Sequence, residues 1–379
     1  MDQKVSYKNI LIVAGSYIAT LIGSGYATGQ EILQFFVSYG IKGIFISIVV
    51  TLIYTLLALE CLERGRLTRP KNSMRMYQFY GGNYLGTFFE YFVLVFLFAV
   101  NVVMIAGSGD TLKEYYGLNP YVGRVLMAAV VFGTVSMGLM KLANIIGNIG
   151  PVIIVFVILV GVLTLIKVEP SSIIEGSKFV SEKIASGEMN PPIPTKFFYF
   201  VGFNYASYNV IVVLAYLAEL GKVSNSKKEN ILASIAGGFG LGLAAIVMYL
   251  AMLSRASDIY NQKIPILVLA DDISPLLGKF VCIIVLLGIY TTAVTLTWQV
   301  SDRIFRDGTP NFKWAVLGIT VLSLACGFVS FDKLINFIYP KAGFVGLILL
   351  VIMFVKYISL KSDNSTGIEE MRKYTEIED

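Results

Sequence analysis

The chain has 379 residues, 56% of them hydrophobic and only 15% charged, with a formal net charge of +5. One soluble core cannot hide that much apolar surface, and the lack of any histidine removes imidazole metal sites, Ser-His-Asp triads and histidine proton relays. The three cysteines, Cys61, Cys282 and Cys326, lie in or beside apolar runs without CxxC spacing, so no disulfide framework is expected.

The apolar runs are continuous and reach the roughly 20 residues that a bilayer core requires. Helices satisfy their own backbone in lipid, whereas a barrel would show short alternating segments. Ten membrane helices are expected, near 9–38, 41–63, 85–109, 120–139, 142–167, 196–220, 229–254, 278–305, 313–330 and 333–359. The basic start "MDQKVSYKN" runs directly into the first of them, which reads as a span and not as a cleaved signal. Residues 1–167 therefore hold a first group of five helices and 196–360 a second. Between them lies an extracellular loop, 168–195, and residues 361–379 form a polar, mobile cytoplasmic tail.

Five basic residues, Arg64, Arg66, Arg69, Lys71 and Arg75, crowd the short loop after segment two. By the positive-inside rule they place that loop and both termini in the cytoplasm of a multi-pass plasma-membrane protein. The outer loop 255–277 contains "IPILVLADDISPLLG", apolar enough for a short helix. That helix is either a lid over an outer vestibule or a surface element packed for stability.

Segment one contains "GSGYATGQE" (Gly23–Glu31) and segment six "GFNYASYNV" (Gly202–Val210). Aligned without gaps they share Gly23/Gly202, Tyr26/Tyr205 and Ala27/Ala206, and pair Thr28 with Ser207 and Gln30 with Asn209. Each opens a five-helix group, and an odd number of helices per group inverts the second relative to the first. Glycine and serine are poor helix-interior residues, so both segments are expected to be broken, at Gly23–Gly25 and at Gly202–Asn204. The plainer account is that these glycines only permit close helix packing. Broken helices expose backbone dipoles at membrane depth, where they ligate anionic groups and cations.

Charges within spans are costly and hence functional candidates. Glu31 is the leading one, as an outer gate or a proton-binding group. Glu60 and Glu63 lie near the inner end of segment two and Glu90 near the start of segment three, while Glu219 and Asp302 lie near inner helix ends, where ordinary ion pairs with Lys222 or Arg303 account for them. Asn101 is polar within an apolar run and is expected to face the interior. Trp298 either lines a cavity or anchors packing.

With "IGSGYATGQE" in helix one, "GFNYASYN" in helix six and a 5+5 inverted repeat, the chain resembles the amino acid–polyamine–organocation superfamily and its LeuT fold, over about residues 8–358. More narrowly it resembles the YkvI-type bacterial membrane proteins, grouped with amino acid permeases. The resemblance implies substrate contacts at the breaks, at Gly23, Ser24, Gly25 and Tyr26 and at Phe203, Asn204 and Tyr205. It also implies a sodium position between helices one and eight. Carbonyls of Ala19, Ile22 and Gly288 would supply its ligands, with the hydroxyls of Thr291 and Thr292 from "LLGIYTTAVTLTWQ". Threonines that bond back to their own helix would need no ion.

The expected function is cation-coupled uptake of an amino acid or related small amine by alternating access, with sodium favoured over a proton. The alternatives are a sensor built on the transporter fold and a proton-coupled carrier of another organic solute. A channel would need a continuous polar path. An enzyme is not expected, because no metal-ligand cluster or nucleophile–base pair is legible. Nor is a cofactor expected beyond the coupling ion. The expected partners are the solute and the lipid bilayer, with no nucleic acid.

Overall fold

A computed structural model of the protein describes residues 5–22, 24–329, 331–362 and 367–375, with Ser24, 139–148 and Thr375 described by backbone alone. The described residues are helical and contain no strand. In chain order the helices are α1 (Tyr7–Leu21), α2 (Ser24–Ala27), α3 (Gln30–Phe35), α4 (Gly43–Thr68), α5 (Met76–Tyr116), α6 (Pro120–Val135), α7 (Leu139–Lys167) and α8 (Ser171–Ala185). They continue with α9 (Phe198–Gly221), α10 (Lys227–Ser254), α11 (Ala256–Ile259), α12 (Pro265–Ile273), α13 (Pro275–Ile304), α14 (Phe312–Cys326), α15 (Phe331–Ser362) and α16 (Ile368–Thr375).

Seven of these elements are long and apolar enough to cross a membrane, and α6 and α14 are shorter apolar helices. With the interrupted run α1–α3 they account for the ten expected segments. Local chemistry sets their ends. Ser6, Asn119, Ser226 and Ser274 cap α1, α6, α10 and α13 through their side chains, the second and fourth followed by proline in the first turn. Large apolar side chains such as Leu56, Val95, Val155 and Phe354 stand exposed around the bundle, the mark of a lipid-facing surface.

Small residues let the helices approach closely. A methyl on Gly238 or Gly242 of α10 would meet Thr55 or Thr51 of α4, and one on Gly65 of α4 would lie 1.9 Å from the Ala218 carbonyl of α9. A methyl on Gly221 of α9 would lie 2.1 Å from the Leu62 carbonyl in return. Such contacts drive helix association where lipid removes the hydrophobic driving force.

The two groups of five helices enter from opposite ends. α1 starts where the Ser6 amide donates to Glu229, and α9 starts beside Ile193, whose carbonyl accepts the Tyr39 hydroxyl at the other end. At the end carrying the termini the acidic residues are paired: Glu60 with Arg64, Glu63 with Arg66, Glu90 with Arg75 and Arg303, and Glu219 with Lys222. At the opposite end Asp110 meets Arg124 and Lys263.

Three expectations are corrected. Segment six is not broken: α9 runs unbroken from Phe198 to Gly221. Its polar residues find partners without unwinding the helix. Ser207 and Asn209 donate to the carbonyls of Phe203 and Tyr205 four residues back, and Asn204 donates to Pro340 of α15. Gly202 serves close packing, with a methyl there placed 3.2 Å from the Ile46 carbonyl of α4. The loop 168–195 carries a helix, α8, whose Ser177 hydroxyl accepts from the Ile41 amide. In the tail, α16 docks back on the bundle, with Met371 buried and Glu370 paired to Lys356.

Candidate functional site

The first helix is interrupted beside the expected break at Gly23–Gly25, while Ser24 and Gly25 themselves lie in the short helix α2. Ile22, at φ −76° and ψ 71°, leaves the helix after Leu21, and Gly29, at φ +82°, turns the chain into α3. Only glycine adopts that left-handed backbone at no steric cost. Gly23 and the Ser24 side chain lie outside the described residues. Thr28 stitches the interruption together: its hydroxyl donates to the Gly25 carbonyl and its own carbonyl accepts the Ile266 amide of α12. The outer-loop helix thus sits on the break, with Ile266, Leu267 and Leu269 buried and Asp271 and Asp272 outward.

Glu31 lies at the centre of this region, only 4% exposed. Its Oε2 accepts hydrogen bonds from the hydroxyls of Tyr205 (2.9 Å) and Tyr208 (2.8 Å) on α9. The carboxyl folds back over Gly25, where an added methyl would stand 2.1 Å from Oε1. Gly25 therefore leaves the room that Glu31 occupies. Rings surround the pair of tyrosines: Phe35 and Phe36 lie 5.2 and 5.0 Å from Tyr205, and Tyr339 lies 4.8 Å from Tyr208. Glu60, Glu63, Glu90, Glu219 and Asp110 each meet arginine or lysine. Glu31 meets phenols.

The same face of α3 carries Gln30 and Gln34. At 100° per residue, Gln30, Gln34 and Glu31 fall within about 100° of one another. Both glutamines are more than nine-tenths buried. Neither the oxygen nor the nitrogen of the Gln34 amide has a hydrogen-bond partner, and the Gln30 Oε1 has none either. Buried polar atoms are rarely left in that condition.

The remaining sequence-derived residues divide. Tyr205 joins Glu31, while Tyr26 spends its hydroxyl on the Leu241 carbonyl of α10. Asn204 is turned to α15. Phe203 is 43% exposed on the outer face of α9, which corrects its expected place at a break: in an intact helix it points away from Tyr205 and Tyr208. Asn101 is buried as expected, but its amide clamps Thr297 of α13 and Ser323 of α14. At the proposed cation position the Thr292 hydroxyl lies 3.3 Å from the Ile22 carbonyl, and Gly288 faces the same carbonyl. Thr291 bonds back to Gly288, and Ala19 packs against Gly150 of α7. Tyr208, Gln30, Gln34 and Tyr339 are additions. Tyr208 had a legible signal, three residues from Tyr205 and so on the same helix face.

A cavity of about 650 Å³ opens at the end bearing the termini, between α5, α9 and α13. Lys71, Leu97, Ala215, Tyr216 and Trp298 are among its walls. The Trp298 indole also donates to Asp307, so it lines the cavity and anchors packing at once. Tyr216 reaches Ser16 and Thr20 of α1. Ala215 is seven residues, about 10 Å of helix, from Tyr208.

No family model matches the sequence. The chain is 25% identical over 348 residues to the uncharacterized protein YyaD of Bacillus subtilis (strain 168), covering 92% of this chain and 96% of that one. It is 22% identical over 331 residues to the uncharacterized membrane protein YkvI of the same organism, covering 87% and 91%. Among solved structures it is similar to a manganese transporter of Eremococcus coleocola, with TM-score 0.57 and 15% identity over 92% of this chain and 79% of that one. It is also similar to Mhp1, a nucleobase-cation-symport-1 family transporter, with TM-score 0.54 and 16% identity over 87% and 74%. The fold is thus that of the LeuT-like transporters.

Proposed function

We propose that this membrane protein is a secondary active transporter of an amino acid or related small amine, working by alternating access and coupled to a cation. One observation carries the reading: the interrupted first helix is bridged at membrane depth to the tyrosine face of α9 by Glu31. Irregular backbone at that depth is tolerated where it lines a cavity or binding site. The cavity at the terminal end is lined by Tyr216 of α9, while α12 covers the break from the other side. With both termini in the cytoplasm, that asymmetry suits a carrier resting with its inner vestibule open in the plasma membrane.

Sodium is the coupling ion favoured here, held near the Ile22 carbonyl, Gly288 and Thr292. A hard cation suits such oxygens, and the C-terminal end of α1 adds a favourable dipole. Thr291 can join through its oxygen lone pairs while its hydroxyl hydrogen stays on the Gly288 carbonyl. A second reading, proton coupling at Glu31, is favoured by the pairing of that carboxyl with hydroxyls instead of a cation. The test is uptake by reconstituted vesicles of radiolabelled amino acids and amines under a sodium or a proton gradient. Accumulation under the sodium gradient supports the reading. No accumulation of any solute under either gradient refutes it.

A further inference from the structure

We infer that the transported solute presents a cationic nitrogen to Glu31 and carries no carboxylate of its own, so that it is an amine and not an α-amino acid. The inference rests on the transporter reading above and narrows its substrate.

The argument starts from the charge of the site. A carboxylate buried at membrane depth demands a compensating charge or a proton. The groups bonded to Glu31 are two phenol hydroxyls, which supply hydrogen bonds but no positive charge. Around them stand the rings of Phe35, Phe36, Tyr54 and Tyr339, packed on Tyr205 or Tyr208. Aromatic faces carry negative potential. They repel an anion and attract an ammonium or guanidinium. Carboxylate and surrounding rings are both answered by one added cation.

The second argument is steric. The space beside Gly25 lies against the interruption. The carboxyl of Glu31 fills that space. A solute carboxylate would have to enter beside it, and two like charges sharing one site raise the cost of both.

The third concerns Gln30 and Gln34. Their unpartnered amide atoms share the α3 face with Glu31, and all three residues are more than nine-tenths buried. A carboxamide oxygen accepts the further N–H groups of an ammonium or guanidinium, as a carboxylate does. The face therefore offers one charged acceptor, Glu31, and two neutral ones, the Gln30 and Gln34 Oε1 atoms, to a nitrogen with several protons, and leaves the Gln34 Nε2 donor for a hydroxyl or water.

The test uses the full chain, purified and in lipid nanodiscs, and pairs of probes that differ by one carboxylate. These are isobutylamine and valine, phenethylamine and phenylalanine, and putrescine and ornithine. Thermal shift and calorimetry report binding, and vesicle uptake reports transport. The expected result is that an amine stabilises the protein and accumulates where its amino acid partner does neither. Glu31→Gln should weaken that amine's Kd by about tenfold to a hundredfold, the loss of a bond to a charged group, while Glu31→Asp keeps the preference for amine. Gln34→Leu should raise the unfolding temperature without ligand, by removing an unpartnered amide, and shrink the increment that the amine adds. An amino acid that binds better than its amine overturns the inference and leaves the transporter reading standing. So does an unchanged amine Kd in Glu31→Gln. If Glu31→Gln does not fold, the wild-type probe pairs and Gln34→Leu decide. No binding and no accumulation with any probe overturns both readings.

Discussion

Gly25→Ala is the smallest change that addresses the centre of the site. The added methyl would lie 2.1 Å from Glu31 Oε1, 2.4 Å from Cγ and 2.6 Å from Cδ. Ordinary contact needs about 3.4 Å or more, so the carboxyl must retreat by about 1 Å. Its bonds to Tyr208 and Tyr205 are 2.8 and 2.9 Å long. Stretched by that much, neither remains a hydrogen bond. Bonds to a charged group are worth roughly 1.5–3 kcal/mol each, and alanine returns up to about 1 kcal/mol of helix propensity, which leaves a net loss of about 2–5 kcal/mol. The assay is a double-mutant cycle in nanodiscs, read as unfolding free energy. Glu31→Ala empties the space the methyl needs, so Gly25→Ala should cost several kcal/mol in the wild-type background and close to nothing beside Glu31→Ala. Equal costs in both backgrounds would refute the packing of Glu31 on the break. Gly318→Ala, on α14 with open space around it, serves as the neutral control.

Other expectations follow from the same geometry. Thr292→Ala should weaken sodium activation of uptake more than solute selectivity, and unchanged sodium activation in vesicles removes the proposed ion position. Gly65→Ala should cost about 1–3 kcal/mol or more, because backbone stands opposite; adding Gly221→Ala on the same seam should cost less than its single value, and strict additivity would contradict the shared contact between α4 and α9. Arg124→Ala strands the buried Asp110, for which roughly 3–5 kcal/mol is usual. Lys263, 3.6 Å away, should hold the loss to the lower end. Asp110→Asn introduced beside Arg124→Ala should then restore part of the stability, and a further loss in that double variant would show that the pair is not the source of the cost.

The spans were legible because lipid leaves the sequence few choices. Each crossing needs a continuous apolar run, and even the short helices α6 and α14 declared themselves. The interruption of helix one was legible too, since Gly23, Ser24 and Gly25 concentrate poor helix formers at mid-span. The matching segment misled for a physical reason. Asn and Ser favour unwinding only when the freed backbone is their best partner. In α9 Ser207 and Asn209 bond back within the helix, and Asn204 reaches the carbonyl of Pro340, inside α15. That carbonyl lies 136 residues away in the chain, beyond any local pattern. The helices α8 and α16 were hidden for a different reason: their amphipathic faces close on α10 and α5, and sequence periodicity does not say what such a face will meet.

The repeat itself had a different meaning from the one its letters suggested. Tyr26 and Tyr205 align, yet one anchors the first helix to α10 and the other holds Glu31. Equivalent positions in an inverted repeat need not share a role once one half is interrupted and the other is not. The interrupted half leaves helical backbone at Ile22 and at Gly29, and the intact half keeps a continuous helical face on which Tyr205 and Tyr208 sit one turn apart. Glu31, on the short helix just beyond the interruption, meets that face through the hydroxyls of both tyrosines. In the proposed transport cycle Glu31 would tie movement of the first helix to occupation of the site, so that its charge, and not the count of polar residues nearby, would set what the site accepts.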